Sequence, residues 1–503
     1  MTNRQEQTEK HRDRRPFIVL QLSFMIHRSS FIVRLAALLA AVALPTACRE
    51  AAVSDRLVAI SPHPETMLYE YQWAFQPWYR ERTGRNIEIV WLDQGGTARM
   101  RRFLYNEFQR SPEGVNIDMV WGGGSDLYLE LCASNLLHPY RLPEPILQAI
   151  PSEYSGVPLY DPRYRWYATA LTGFGIIYNR RVLKLQDLPT PQTWADLTDP
   201  AFYSWVETAD PRQSGSSHMA FEIILQAYGW QKGWEVITLM GGNIKVFTRL
   251  ASDVPMDVAL GEVASGFCID NYAYSQMAFT GREVLGYVMP EGLTVVYPDG
   301  IGILRGAPNL EQAQMLVEFA VSNAGQRLLM SPIGAEGGPR QFRISRMAVL
   351  PHLYGQLGER SLVPVNPFQL RATLHYDPTK GAGRWTFLND LIGVLIVENH
   401  DLLKKTWRAV AACDNERRAI LARRLAEMPL SEDQTMTLAQ KTWKDPVARN
   451  RVMLEWSRFA REKYNAVLRE AQTADAAATQ IAGGSAEPSS IQTPAANPTR
   501  LAR

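Results

Sequence analysis

From Arg56 onward, short apolar runs alternate with segments whose apolar side chains recur at the spacing of a helix. The apolar runs lie at 57–60, 87–92 and 117–121, and the first of the helical segments is predicted over 65–83. A turn rich in Gly, Ser or Pro follows each run, and such turns present N–H groups that suit an anion. Strands that alternate with helices predict a parallel sheet, which binds ligands at the carboxyl ends of its strands. We therefore predict an α/β fold with a site at these turns.

The last third of the chain has a helical pattern. Apolar positions recur through 391–424, and a further helix is predicted after Pro446, with Trp456 and Tyr464 on one face. These helices either cap a larger domain or form a docking surface for another protein. The final segment, 473–503, is rich in Ala, Thr, Ser, Pro and Gln and is predicted to be a disordered tail.

The N-terminal part has the pattern of an export signal. An apolar segment at 35–44 follows basic residues and is too short to span a bilayer. We predict a signal at 1–50, with Met25 as the true start because the charged run before it is unusual in a signal. The small residues before Cys48 resemble a lipoprotein box, and ordinary cleavage to a soluble product is the alternative. Either way, we expect a protein that is periplasmic or held by Cys48 on the outer side of the inner membrane.

Composition narrows the function. With 503 residues, of which 46% are hydrophobic, the chain is long enough for two or more domains. The net charge of +2 and the lack of a basic stripe argue against a nucleic-acid partner. Apart from Cys48, the cysteines are far apart and odd in number, so we expect neither a disulfide framework nor a zinc site.

Several segments resemble a known family. They read VAISPHPET at 58–66, NIDMVWGGGSDLYLELCASNLLHPY at 116–140 and VYPDGIGILRGAPNLEQAQMLVEFAVSNAGQRLL at 296–329. Their order and spacing resemble those of the extracellular solute-binding proteins of ABC importers, in the group that includes the ferric-ion-binding proteins. The resemblance covers about residues 55 to 390.

The resemblance implies a two-lobed type 2 periplasmic-binding-protein fold, in which a hinge closes two α/β lobes on a ligand, here with a C-terminal helical extension. The implied boundaries are 55–165 plus 290–345 for lobe one, 172–285 for lobe two, 172–177 and 286–290 for the two crossing strands, and 346–472 for the extension.

The resemblance also suggests a metal site, although with a weak ligand set. Family members that carry ferric iron use a His, a Glu and two adjacent Tyr. Here His63 matches the His, Gly122–Gly124 occupies the Glu position, and the Tyr pair reads Asn271-Tyr272. One imidazole and one phenolate are a poor set for ferric iron, and Tyr274 would point to the opposite face of an extended strand. His63 and Tyr272 are the candidate metal ligands, and the alternative for His63 is a hydrogen-bonded turn residue. Whether a metal ion is bound is left open, and we predict no certain cofactor.

The other cargo suggested by the resemblance is an anion such as a phosphonate, a phosphorylated sugar or another phosphate ester. Hydroxyl and N–H groups at helix starts bind phosphate, and the resemblance places such groups on both sides of the cleft. An ordinary N-cap cluster is the alternative for the serines. Because a carboxylate repels an anion, Asp270 would bind an amine or hydroxyl of the cargo, hold a divalent cation, or simply pair with a neighbouring Arg or cap a turn. The candidate ligand-binding residues are Ser61, His63, Gly96, Thr97, Gly123, Gly124, Ser214, Gly215, Ser216, Ser217, Asp270, Asn271 and Tyr272.

Three classes of function are open at this point. The first, which we predict, is a monomeric binding protein that delivers a small solute to an ABC permease of the inner membrane. The second is an envelope hydrolase, but the sequence has neither a G-x-S-x-G nor an H-E-x-x-H motif, so we predict no catalytic residue. The third is a sensory or scaffold lipoprotein that uses the binding fold to signal.

Overall fold

The computed structural model describes residues 54–154, 156–370 and 374–483. The predicted export signal at 1–50, with Met25 and Cys48, and the end of the predicted tail at 484–503 lie outside the described residues. Within the described part of the chain, no helix combines the length and the apolar character that crossing a membrane requires.

The first part of the chain alternates strands with helices, as the hydrophobic pattern predicts. The first six elements are β1 (Ser54–Ile60), α1 (Glu65–Thr83), β2 (Asn86–Leu92), α2 (Thr97–Arg110), β3 (Met119–Gly124) and α3 (Ser125–Ala133). The short elements that follow are β4 (Leu137–His138), α4 (Glu144–Leu147), β5 (Glu153–Tyr154) and β6 (Val157–Pro158). Strand β1 pairs in parallel with both β2 and β3, so the turns after β1 and β3 meet at one edge of the sheet.

The long strand β7 (Tyr167–Asn179) leads into the second group of elements. These are α5 (Arg180–Leu185), two short 3₁₀ turns (Trp194–Thr198 and Pro200–Phe202), β8 (Val206–Ala209), α6 (Gly215–Tyr228), α7 (Trp230–Asn243), β9 (Ile244–Thr248), α8 (Val254–Leu260), β10 (Ser265–Ile269), α9 (Asp270–Thr280) and β11 (Leu285–Val288). The chain then returns through β12 (Val296–Leu304), α10 (Leu310–Val321) and α11 (Asn323–Met330).

Strand β7 belongs to both halves of the sheet. Its first half pairs with β12, and its second half pairs with β10 and β11. The strand order is β2-β1-β3-β12-β7-β10-β8-β9. Both β12 and β7 run antiparallel to their neighbours, whereas β1 is parallel to β2 and β3, so the sheet is mixed. The chain crosses between the two halves of the sheet twice, through β7 and between β11 and β12. We call residues 54–173 and 296–363 lobe one, and residues 174–295 lobe two.

Lobe one extends further than the sequence indicates. Met347, Val349 and Leu353 are buried in the same core as β1 and β3, and the Leu171 N–H donates to the Met347 carbonyl at 2.8 Å. The predicted end of the lobe at 345 is therefore too early, because the apolar run after it packs back onto the sheet.

The C-terminal extension, which we define as residues 374–483, is helical and shares its core with lobe two. The elements after α11 are α12 (His352–Leu357), two 3₁₀ turns (Gly358–Arg360 and Pro367–Gln369), α13 (Pro378–Ile392), a π turn (Gly393–Val397), α14 (His400–Ala411), α15 (Asn415–Leu425), α16 (Glu432–Lys441) and α17 (Pro446–Gly483). Leu388, Trp407 and Tyr464 are buried in one cluster with Trp234 of lobe two. Helix α17 includes 473–483, where several alanines favour a helix over the predicted disorder.

Candidate functional site

A cavity of about 420 Å³ lies between the two lobes. Its wall in lobe one comes from the turns after β1 and β3 and from the start of α2, and its wall in lobe two comes from the starts of α6 and α9. Residue Trp385 of the extension completes the lining. This is the ligand position that the carboxyl ends of parallel strands provide.

The lobes touch at the edge of this cavity. A Cβ atom placed on Gly96 would lie 2.3 Å from the Gln213 carbonyl oxygen, and one placed on Gly215 would lie 2.8 Å from Cβ of Thr97. Both glycines are needed because any side chain would hold the lobes apart. The structure therefore describes a closed cleft.

Several helices point their N-terminal ends at the cavity. Helix α2 begins after Gly96 and α3 begins after Gly124, and neither has a side-chain cap. Helix α6 has Ser214 as its N-cap, which accepts a hydrogen bond from the Ser217 N–H. The first N–H groups of a helix have no partner inside the helix, and the positive end of its dipole attracts an anion. The cavity is therefore rich in hydrogen-bond donors on both sides.

A buried charged cluster forms the floor of the cavity. Arg346 Nη1 lies 2.6 Å from Asp299 Oδ2, and His63 Nε2 lies 2.8 Å from the same oxygen. The second terminal nitrogen, Arg346 Nη2, donates to Thr172 Oγ1 at 2.8 Å. Arg346 is 4% exposed, and its Nε atom has no hydrogen-bond partner among the described residues. One nitrogen of this buried guanidinium is therefore unpaired within the described part of the chain.

Burial fixes the protonation of this cluster. It lowers the pKa of His63, in spite of the neighbouring Asp299, so the ring is neutral at pH 7. Burial acts to raise the pKa of Asp299, but Arg346 and His63 outweigh it and hold that pKa below its usual value. The neutral His63 ring either donates through Nε2 to Asp299 or accepts there from Arg346 at 2.9 Å, while Nδ1 lies 3.1 Å from Ser61 Oγ. Both imidazole nitrogens are therefore engaged.

The segment that begins at Asp270 is a helix, so treating it as an extended strand was wrong. At about 100° per residue, Tyr272 and Tyr274 still point in different directions, and Tyr274 stacks edge-to-face on Tyr287 at 5.5 Å. Asn271 and Tyr272 line the cavity. Asp270 lies behind the wall and accepts a hydrogen bond from the Gly173 N–H at 3.1 Å, and burial raises its pKa to about 7.

Most of the residues proposed from the sequence meet in one place. The cavity is lined by His63, Gly96, Thr97, Gly123, Gly124, Ser214, Gly215, Ser216, Asn271 and Tyr272. Ser61, Ser217 and Asp270 are buried outside the lining, where Ser61 and Ser217 support the turn and the helix start beside it. A direct contact of these three residues with a ligand stays a prediction.

Sequence reasoning missed other lining residues, among them the polar and aromatic side chains of Thr172, Asp299, Arg346 and Trp385. Asp299 lies inside one of the segments that resemble the family, and an acidic residue in an apolar strand was a usable signal. Arg346 also stands in a largely apolar run, but no local pattern connects it with His63, which lies far away in the sequence.

Among the described residues, no group of three or more His, Cys, Asp or Glu side chains could hold a metal ion. His63 and Tyr272 both line the cavity, but the Arg346 guanidinium beside His63 repels a cation. The donor set therefore fits a metal poorly.

Residues 117–333 match the family of bacterial extracellular solute-binding proteins. The phosphoglycerate transport regulatory protein PgtC of Salmonella typhimurium is 26% identical over 195 residues, which are 37% of this chain and 48% of PgtC. An uncharacterized protein of Haemophilus influenzae is 26% identical over 198 residues, 37% of this chain and 56% of that protein. The chain thus spans about half the length of the curated relatives it matches.

Solved structures share the fold. The periplasmic binding protein P5PA aligns with a TM-score of 0.56 and 20% identity over 68% of this chain and 100% of that one. Apo ferric ion-binding protein A of Pasteurella haemolytica aligns with a TM-score of 0.52 and 14% identity, over 67% and 97% of the two chains. AfuA from Actinobacillus pleuropneumoniae, with fructose-6-phosphate bound, aligns with a TM-score of 0.50 and 22% identity, over 59% and 85%. The resemblance read from the sequence is confirmed: residues 117–333 match the family of bacterial extracellular solute-binding proteins, and the fold is that of a type 2 periplasmic binding protein.

Proposed function

We propose that this protein is the exported solute-binding component of an ABC importer and that its cargo is a small solute bearing a phosphate group. The observation that carries the proposal is Arg346, a buried guanidinium on the floor of a cavity ringed by helix N-termini. Hydrogen bonds between charged partners are about twice as strong as neutral ones, and guanidinium geometry suits phosphate.

The size and lining of the cavity support a small ligand. A volume of about 420 Å³ is at the lower end of the range for ligand pockets. Thr97 and Ser216 add hydroxyl groups from opposite lobes, so closure brings two sets of donors onto one ligand. Asp299 already neutralises Arg346, so helix N-termini and hydroxyl groups would carry much of the added attraction.

The relatives point to the same ligand class. PgtC is named for phosphoglycerate transport, and AfuA was solved with fructose-6-phosphate bound. A ferric-ion-binding protein shares the fold as well, so the fold alone does not select the cargo. The helix N-termini and hydroxyl groups of the lining and the engaged nitrogens of His63 favour the anion over ferric iron.

A second candidate function is regulatory, because PgtC is named a transport regulatory protein. In this alternative, the closed form would signal to a membrane receptor instead of releasing solute to a permease. Adding the solute-loaded protein to vesicles that contain the permease separates the two, because only an importer accumulates solute inside them. In either case we propose an exported monomer with no nucleic-acid partner and no catalysis.

Isothermal titration calorimetry on the exported protein tests the cargo, with 3-phosphoglycerate, fructose 6-phosphate, a simple phosphonate and ferric citrate as probes. We expect Kd to rise by about 100-fold in Arg346→Gln, because hydrogen bonds between charged partners are lost. Arg346→Lys keeps the positive charge, and its Kd should lie between those of the wild-type protein and Arg346→Gln. Arg165→Gln is the matched control, since Arg165 pairs with Asp161 at 2.8 Å outside the cavity.

Two results would contradict the proposal. Binding of ferric citrate alone would identify iron as the cargo and assign His63 and Tyr272 to it. Equal phosphate-ester affinity in folded Arg346→Gln and wild-type protein would place the anion site elsewhere.

A further inference from the structure

One residue that lines the cavity comes from neither lobe. Trp385 lies on α13, beyond the segment that matches the solute-binding family. It is 2% exposed and lines the cavity, yet its indole Nε1 has no hydrogen-bond partner among the described residues. Buried N–H groups are nearly always paired, because leaving one unpaired is unfavourable. An oxygen atom of a solute in the cavity would supply the missing acceptor.

Contacts with lobe two hold Trp385 in place. Its ring stacks on His218 of α6 with the centroids 3.7 Å apart and the planes at 27°. His218 Nδ1 in turn lies 2.8 Å from Oδ1 of Asn389, one helical turn further along α13. The adjacent Arg384 forms a fully buried ion pair with Glu222 at 2.7 Å. The indole is therefore fixed before any ligand arrives, as a binding residue requires.

Helix α13 and the residues just before it also reach lobe one. Tyr376 donates to Asp126 Oδ2 at 2.9 Å, and Arg101 Nη1 donates to Thr386 Oγ1 at 2.5 Å. Asp126 belongs to α3, whose N-terminal end faces the cavity. The extension thus contacts both lobes beside the ligand position, and Trp385 stands between these contacts.

We propose that α13 is a third wall of the solute site and that Trp385 donates its indole N–H to an oxygen of the bound solute. The inference rests on the proposed function and adds a ligand contact that the two lobes alone cannot make. It also assigns a purpose to the extension: Trp385 restricts which solutes fit the closed cleft.

Calorimetry with 3-phosphoglycerate and fructose 6-phosphate on the full exported protein tests this contact. Trp385→Phe keeps an aromatic ring and removes the N–H, and we expect it to raise Kd about tenfold. Trp234→Phe is the matched control: Trp234, in lobe two, is buried as well, and its indole N–H likewise has no partner within the described part of the chain, but it does not line the cavity. Its Kd should stay within twofold of wild type. Trp385→Tyr, which also lacks the indole N–H, is measured as a second variant, so that the contact can still be tested if one of the two variants fails to fold.

The outcomes separate the two proposals. Wild-type protein that binds neither probe overturns the phosphate-ester cargo and this inference with it. Wild-type binding together with unchanged affinity in both Trp385 variants overturns only this inference. Weaker binding in both variants and in Trp234→Phe assigns the effect to the lobe two core, which also contradicts it.

Discussion

The extension meets the two lobes in different ways. Against lobe two, α13 buries apolar side chains in a common core and forms an ion pair between Arg384 and Glu222 with both side chains fully buried. Against lobe one, the contacts are hydrogen bonds from Tyr376 to Asp126 and from Arg101 to Thr386, together with one aromatic pair between Tyr376 and Tyr297 at 5.0 Å. The first face resembles the interior of a domain, whereas the second is smaller and largely polar.

This difference assigns the extension to lobe two during any hinge motion. Separating a shared apolar core costs free energy in proportion to the buried area, whereas an intramolecular hydrogen bond contributes about 0.5–1.5 kcal/mol net. Opening of the cleft should therefore break the contacts to lobe one and leave those to lobe two intact. The extension then adds a modest free energy in favour of closure, and a ligand must supply the rest through contacts made only in the closed state.

The largest predicted effect follows from breaking the face toward lobe two. Glu222→Ala leaves the buried Arg384 guanidinium with only the partly exposed Glu432 at 2.8 Å, so we expect a loss of about 3–5 kcal/mol in the free energy of unfolding. Chemical denaturation measures this loss. Glu235→Ala is the control, because Glu235 pairs with the exposed Lys232 and should cost about 1 kcal/mol or less. Similar losses in the two variants would show that the Arg384 pair is not the anchor.

The next effect depends on pH and concerns the face toward lobe one. Burial raises the pKa of Asp126 to about 8, in spite of hydrogen bonds from Tyr297 and Tyr376, and Glu222 and Glu130 raise it further. The folded protein then holds a proton that the unfolded chain has lost, so stability should fall as pH rises from about 4 to about 8. Asp126→Asn mimics the protonated acid and should show a flatter curve. Thermal unfolding between pH 5 and pH 8 measures the difference, and parallel curves would mean that Asp126 is ionised in the folded state.

Much of the first lobe was predictable from the sequence, because its elements are local. The helix predicted over 65–83 has those bounds, and the ends of the three predicted strands lie within three residues of the observed ends. The glycines and serines of the site were found because turns at strand ends and helix starts have recognisable residues. The second crossing was predicted at 286–290, but β11 still pairs with β7 in lobe two as far as Val288, so the crossing comes after that residue, between β11 and β12.

The charged and aromatic parts of the site could not be found in this way. Arg346 meets His63 and Asp299 only because the chain returns to lobe one after forming lobe two, and periodicity carries no information about such distant contacts. No local pattern distinguishes Trp385 from a core residue of a helix, and it is one on the side that stacks on His218. Its second role depends on how the whole extension docks.

A smaller effect should distinguish closure from general stability. Tyr376→Phe removes the hydrogen bond to Asp126 and should cost about 1 kcal/mol, with an increased radius of gyration in the ligand-free protein as the cleft opens. Tyr464→Phe is the matched control, because Tyr464 donates to the Leu395 carbonyl at 2.9 Å within the extension. It should cost a similar free energy without changing the scattering curve. A radius of gyration that increases equally in both variants would show loosening of the fold instead of hinge opening.

The smallest effect belongs to the second contact with lobe one. In Thr386→Val, Arg101 loses one acceptor but keeps Glu130, to which Nε and Nη2 donate at 2.5 and 2.6 Å, so we expect a loss of less than about 1 kcal/mol. Alone, this should hardly change the scattering curve, because the Tyr376 contact still favours the closed form. In the Tyr376→Phe background, the same substitution should visibly raise the open fraction, because the free energies of two independent contacts add while populations respond exponentially. If the double variant scatters like Tyr376→Phe alone, Arg101 and Thr386 do not resist opening, and Asp126 is the contact through which α13 holds lobe one.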